Sequence, residues 1–223
     1  MKTIELIRRK AVIPPIGLHG DLVIPANAAA VIAFAHGSGS SRHSPRNQYV
    51  ARVFEQGGLA TLLFDLLTSD EERIDARTGH LRFDIALLAR RLAAATAWLK
   101  KDDDTRELRV GYFGASTGAA AALVAASERP EDVYAVVSRG GRPDLAGATL
   151  PLVKAPTLLI VGGDDTPVIA MNQDALQQLR VSEKKLVIVP GATHLFEEPG
   201  ALEEVAALAC GWFQKELKEP RLP

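Results

Sequence analysis

Five residues, Gly114-Ala115-Ser116-Thr117-Gly118, stand between a strand-like run, Leu108 to Phe113, and an alanine-rich, helix-like run, Ala119 to Ser127. A serine at such a junction, with glycine two positions to either side, is the sequence form of a sharp turn that lifts a hydroxyl above a sheet. The serine takes up a strained backbone, and the glycines let strand and helix approach without Cβ clashes. Ala115, Ala119 and Ala120 extend that clearance. Chance alone produces G-x-S-x-G from time to time, but rarely between a strand and a helix. The motif therefore constrains the architecture: a strand must end, and a helix begin, at an exposed nucleophile.

The rest of the chain supplies such an architecture. Two β-rich runs, Ile4 to Ile13 and Leu18 to Ile24, flank Pro14-Pro15-Ile16-Gly17 and predict an antiparallel hairpin. Val31 to Ala35 reads as a buried strand, and Ser44-Pro45 as the N-cap and first residue of a helix ending at Gly57-Gly58. The strand Ala60 to Phe64 follows, then a polar loop from Thr68 to His80, whose acids Asp70, Glu71, Glu72 and Asp75 read as a solvated rim. Ile85, Leu88, Leu92 and Leu99 recur at helical spacing and predict a helix from about Asp84 to Leu99 with one buried face. Val133 to Val137, Thr157 to Val161 and Leu186 to Val189 are further apolar strands, and a last helix starts near Pro199. The sum is about eight strands: a hairpin, then parallel βα units with helices on both faces of a mostly parallel sheet. Only Arg139 to Ala155 separates the sixth and seventh strands. A single domain over residues 1–223, without a substantial lid, is predicted.

Composition narrows the setting. At 47% hydrophobic residues the chain can bury a sizeable core, and a net charge of −1 gives no electrostatic case for nucleic acid or an anionic membrane. No apolar stretch approaches the ~20 residues of a membrane-spanning helix, and the first ten residues lack a signal peptide's apolar run. The single cysteine, Cys210, excludes an internal disulfide and sits in an apolar, helix-like stretch as a packing residue. A cytoplasmic protein is expected, and nothing in the sequence specifies its oligomeric state.

A serine hydroxyl becomes a useful nucleophile only when a base takes its proton, and the base needs an acid to hold its tautomer. In open α/β sheets such groups gather after the strands, at their carboxyl ends. Gly162-Gly163-Asp164-Asp165-Thr166-Pro167-Val168 follows the seventh strand, and Gly191-Ala192-Thr193-His194 the eighth. His194 is the only histidine beyond those acids and is the candidate base. Asp165 is the favoured acid, with Asp164 and Asp144 as alternatives. For a developing oxyanion, the candidate donors are the backbone N–H of Thr117, after the nucleophile, and that of Ser38 in the loop His36-Gly37-Ser38-Gly39-Ser40-Ser41. His36 reads as a support for that loop. There is no H-E-x-x-H and no cysteine cluster, so no metal or cofactor is expected.

Through the segments from His36 to Arg42, Gly114 to Gly118, Gly162 to Val168 and Gly191 to His194, nearly the whole chain resembles an α/β-hydrolase of the dienelactone hydrolase type. The resemblance implies a lidless hydrolase acting on small esters or lactones through Ser116, Asp165 and His194. One departure matters: dienelactone hydrolases proper carry a cysteine nucleophile, where this chain has serine.

Arg42, Arg46, Arg139 and Arg142 follow strands that should end near the site. Two readings compete. Guanidinium groups bind carboxylates bidentately, so the four can mark an anionic small-molecule ester or lactone as substrate; alternatively they pair with local acids such as Asp144 or Glu71. Two rival functions remain on the sequence. One is a nucleotide-binding oxidoreductase, from Gly37-Ser38-Gly39 after a strand with Asp65 ending the next; but Arg42 replaces the third glycine and the helix starts late. The other is a catalytically idle hydrolase fold used as a binding module.

Overall fold

The computed structural model describes residues 6–219. The hairpin forms from β1 (Leu6–Ile13) and β2 (Leu18–Pro25), paired antiparallel in the register Leu6↔Pro25 to Ile13↔Leu18. The expected start of its first strand at Ile4 lies outside the described residues. β3 (Ala30–Ala35), β4 (Ala60–Phe64), β5 (Arg109–Ala115), β6 (Val133–Arg139), β7 (Thr157–Gly162) and β8 (Lys184–Val189) complete an eight-stranded sheet in the order β1-β2-β4-β3-β5-β6-β7-β8. β2 pairs antiparallel with β4; every pairing from β4 to β8 is parallel.

Among the described residues six α-helices cover the sheet: α1 (Pro45–Gln56), α2 (Ser69–Thr78), α3 (Ile85–Leu99), α4 (Thr117–Glu128), α5 (Thr166–Gln178) and α6 (Ala201–Lys218). Alternation along the strands divides their side chains between two layers. Ile32, Phe34, Phe113 and Val137 pack with Phe54 of α1 and Phe213 of α6, while Val31, Ala33, Tyr112 and Val136 pack with α3, α4 and α5. In the first layer Phe34 of β3 and Phe113 of the elbow strand β5 lie 5.0 Å apart between ring centroids, with Phe54 5.6 Å from each. Burying a side chain of that size is worth roughly 1.5–3 kcal/mol. In the second layer ten consecutive residues of α4, Thr117 to Ala126, are buried. A helix apolar on every side is one that is covered on every side, and its small residues let it pass close to the sheet.

The strand order places a switch point between β3 and β5. The chain leaves β3 for α1 on one face and leaves β5 for α4 on the other, and the loops part to open a crevice at the carboxyl ends.

The segment read as a polar loop is instead mostly helix. Thr68 and Glu71 form a reciprocal capping box, three acids occupy the first turn of α2, and Gly79 closes it in the left-handed conformation at φ 69°. Local capping builds this helix, because its one large apolar side chain, Ile74, is 49% exposed. Of its acids, Asp70 and Glu72 are exposed, as a solvated rim requires, but Asp75 and Glu71 are not part of one. Asp75 is buried and receives the backbone N–H groups of Leu81 and Arg82 and the Arg82 Nε–H, and Glu71 pairs with Arg91. Among the described residues no helix is long and apolar enough to cross a membrane.

Candidate active site

Ser116 stands at the switch point with φ 50° and ψ −123°, a conformation rarely open to a residue with a Cβ and costing about 1–3 kcal/mol. Its backbone is held on three sides. Its N–H donates to the Arg139 carbonyl at 3.3 Å, and its own carbonyl accepts from Ala119 N–H and Arg142 N–H, each at 3.1 Å. Close packing explains the flanking glycine: a Cβ on Gly118 would lie 2.1 Å from the Ala35 carbonyl oxygen and 2.5 Å from that of His36.

Asp165 and His194 meet across two loops. Asp165 sits at the N-cap of α5, where an aspartate ordinarily accepts from the first-turn N–H groups, yet its side chain makes no capping bond. Its Oδ2 lies 2.6 Å from His194 Nδ1, an arrangement in which Nδ1 carries the proton and Nε2 is left with its lone pair. Asp165 is mostly buried, while His194 is 37% exposed at its side chain. The loops come together because β7 ends on a glycine: a Cβ on Gly162 would lie 2.3 Å from the Ala192 carbonyl oxygen. Among the described residues no hydrogen bond joins the Ser116 hydroxyl to His194; the two share one end of the sheet. Of the alternative acids, Asp144 is taken up by Arg142, at 2.9 and 2.8 Å, and Asp164 has no side-chain bond to His194.

His36 braces the loop after β3. Its Nε2 accepts the Leu66 N–H at 3.1 Å and its Nδ1 donates to the Gly37 carbonyl at 3.0 Å, which fixes the neutral tautomer. Burial holds its pKa below the ordinary histidine value, against an opposing pull from the Gly37 hydrogen bond. In the same loop, Ser38 N–H points at Thr117 but reaches its side chain: it donates to Thr117 Oγ1 at 3.0 Å.

A cleft of about 610 Å³ opens beside this pair, lined by Ser38, Thr117, His43, Arg46, Leu66 and Arg82 among others. Its lining stops at Thr117; Ser116, Asp165 and His194 stand outside it. Arg82, on the 3₁₀ turn Leu81–Phe83, went unmarked in the sequence, where nothing shows that a distant turn folds back over Gly39.

The four candidate arginines separate. Arg42 binds Asp65 through its backbone N–H and its guanidinium, and lines a different cavity, between the hairpin and α1. That ion pair also occupies the acid on which a ribose-binding reading rests. Arg142 is bidentate to Asp144. Arg46 reaches Glu197 at 2.8 Å. Arg139 is different: it is only 8% exposed, and neither its Nε nor its Nη1 has a hydrogen-bond partner. Burial, with repulsion from Arg46, lowers its pKa to about 10.

A strained serine between a strand and a helix at the switch point of such a sheet, with a histidine–aspartate pair on the two following strand ends, defines the α/β-hydrolase class. The sequence profile of the dienelactone hydrolase family matches residues 19–218, and the chain belongs to that family. The crystal structure of a dienelactone hydrolase from Anabaena variabilis is similar at 65% identity and a TM-score of 0.91, covering 95% of this chain and 98% of that one. Est1E from Butyrivibrio proteoclasticus, at 16% identity and a TM-score of 0.76 over 94% of this chain and 99% of its own, shares the fold. A Mycobacterium tuberculosis protein that carries the provisional name phosphoribosyl transferase is 58% identical over 206 residues, which is 92% of this chain but 45% of that protein. The chain thus spans about half the length of this curated relative.

Proposed function

We propose that the chain is a serine hydrolase that cleaves small carboxylic esters or lactones through an acyl-enzyme. The observation that carries this reading is the 2.6 Å contact between His194 Nδ1 and Asp165 Oδ2, made by an aspartate that forgoes its helix cap. In the proposed cycle His194 Nε2 takes the Ser116 proton as Oγ attacks the carbonyl carbon. The carbonyl electron pair moves onto oxygen, and collapse of the tetrahedral species expels the alcohol, which leaves with the proton from His194. Water, deprotonated by the same nitrogen, then attacks the acyl carbon, and collapse releases the acid as His194 returns the proton to the departing Ser116 Oγ. Asp165 stabilises the imidazolium that forms twice in each turnover.

A panel of short p-nitrophenyl esters and simple lactones tests the reading, together with a fluorophosphonate probe. Turnover and labelling at Ser116 are expected; a folded protein that neither turns over nor takes the probe would instead be an idle fold. The phosphoribosyl transferase name belongs, on this reading, to the part of the longer relative that lies outside the match, since the hydrolase profile spans most of the shared segment.

The same reading extends to an anionic substrate, now through Arg139 rather than all four arginines. A buried guanidinium without a carboxylate is costly, and such a group is kept where a ligand supplies the missing acceptor. Arg139→Met is expected to raise KM for a carboxylate-bearing ester by about 10–100-fold, the worth of one or two charged hydrogen bonds. Neutral esters should be unaffected. The variant should also melt at a higher temperature, because the cost of the lowered pKa is fully present at every pH below about 10. Equal KM changes for both ester types would remove Arg139 from substrate binding.

A further inference from the structure

The oxyanion site of this protein has an unusual occupant. The Ser38 N–H, which by its position after β3 should meet the substrate oxygen, already donates to Thr117 Oγ1 at 3.0 Å. Thr117 is 2% exposed, so that bond is largely shielded from bulk water. A hydroxyl offers two lone pairs and one proton. Here one lone pair is taken by Ser38, while the proton of Thr117 Oγ1 has no acceptor among the described residues. Thr117 and Ser38 both line the 610 Å³ cleft, so the free proton belongs to a group at its wall. Thr117 is also the first residue of α4, and its backbone N–H has no partner within the helix. One residue therefore carries two unused donors side by side.

We infer that Thr117 holds the oxyanion with both of them, its backbone N–H and its side-chain O–H, and that Ser38 N–H orients the hydroxyl instead of touching substrate. This rests on Ser116 being the nucleophile. When its Oγ bonds to the carbonyl carbon, the new charge on oxygen is met by Thr117 O–H, itself polarised by the Ser38 N–H behind it. Donors linked in series strengthen one another. The arrangement is fixed before substrate arrives, as preorganised stabilisation requires.

The opposite role for the same bond is a plug: the hydroxyl would occupy the place of the oxyanion and have to swing away. The two roles predict changes of opposite sign. Thr117→Val keeps shape and volume but loses the hydroxyl. If Thr117 O–H is a donor, kcat for a p-nitrophenyl ester falls about 10²–10³-fold with KM little changed, and Thr117→Ser restores most of the loss. A trifluoromethyl ketone, whose adduct with Ser116 carries the same oxyanion, loses affinity by a similar factor in Thr117→Val. A raised kcat in Thr117→Val, at wild-type melting temperature, would overturn the inference in favour of the plug, and an unchanged kcat would overturn both roles. A kcat loss without weaker ketone binding would overturn it in favour of a purely structural threonine. Fluorophosphonate labelling of wild-type Ser116 separates these outcomes from failure of the underlying reading, because an unlabelled wild type removes both together.

Discussion

Ser116→Ala is expected to leave a folded protein whose ester turnover drops by about 10⁴–10⁶-fold, to the level that binding and oxyanion donors sustain without a nucleophile. Asp165→Asn should lose roughly 10⁴-fold by a different route. The amide can present its NH₂ to His194 Nδ1, which favours the tautomer with its proton on Nε2, where it cannot accept the serine proton. The two variants differ in a second measurement: Asp165→Asn retains slow fluorophosphonate labelling and Ser116→Ala retains none. Because φ of 50° strains alanine as it strains serine, Ser116→Ala should melt near the wild-type temperature, while Ser116→Gly, equally inactive, should melt higher. Substantial turnover in either Ser116 variant would place the nucleophile elsewhere.

The second large effect concerns folding. Gly118→Ala would drive a Cβ to 2.1 Å from the Ala35 carbonyl and 2.5 Å from that of His36. Both obstacles are backbone, at the end of a central strand paired on both edges, so neither can rotate aside. A destabilisation above about 4 kcal/mol is expected, within the range reserved for overpacking that the surroundings cannot relax. Urea unfolding of whatever fraction remains soluble measures it. A loss below about 1 kcal/mol with Ser116 still labelled would mean that α4 can stand off from β3, and that the glycine serves some other need.

Much of this arrangement was legible before any coordinates, for a physical reason. Strands β3 to β7 of the parallel sheet are buried on both faces and so read as near-continuous apolar runs, and the turns that end them carry glycine, proline or aspartate. Those signals pointed to Ser116, Asp165 and His194, because each lies at or just beyond the carboxyl end of a strand. α2 was missed because its sequence has no apolar stripe; its capping box and terminal glycine were visible but were outweighed by its polarity. The partners of the arginines were not readable at all. Arg46 and Glu197 are 151 positions apart, and Arg42 and Asp65 belong to neighbouring strand ends whose adjacency only the sheet order supplies. Nor does sequence reveal that a side chain would intercept Ser38 N–H, since the loop after β3 and the elbow after β5 are separated by 79 positions.

Those two loops feed helices that depart to opposite faces of the sheet, α1 to one layer and α4 to the other. The single 3.0 Å bond between Ser38 and Thr117 is therefore a stitch across the molecule's midplane, closed only while both layers are seated on their common floor. A chain that kept every helix but lost the fit of one layer would still resemble this protein to a spectrometer, and on the proposed mechanism it would lose the donor that Ser38 orients. The chemistry proposed for this site is a test of tertiary fit, made at a seam where the two halves of the core come into register.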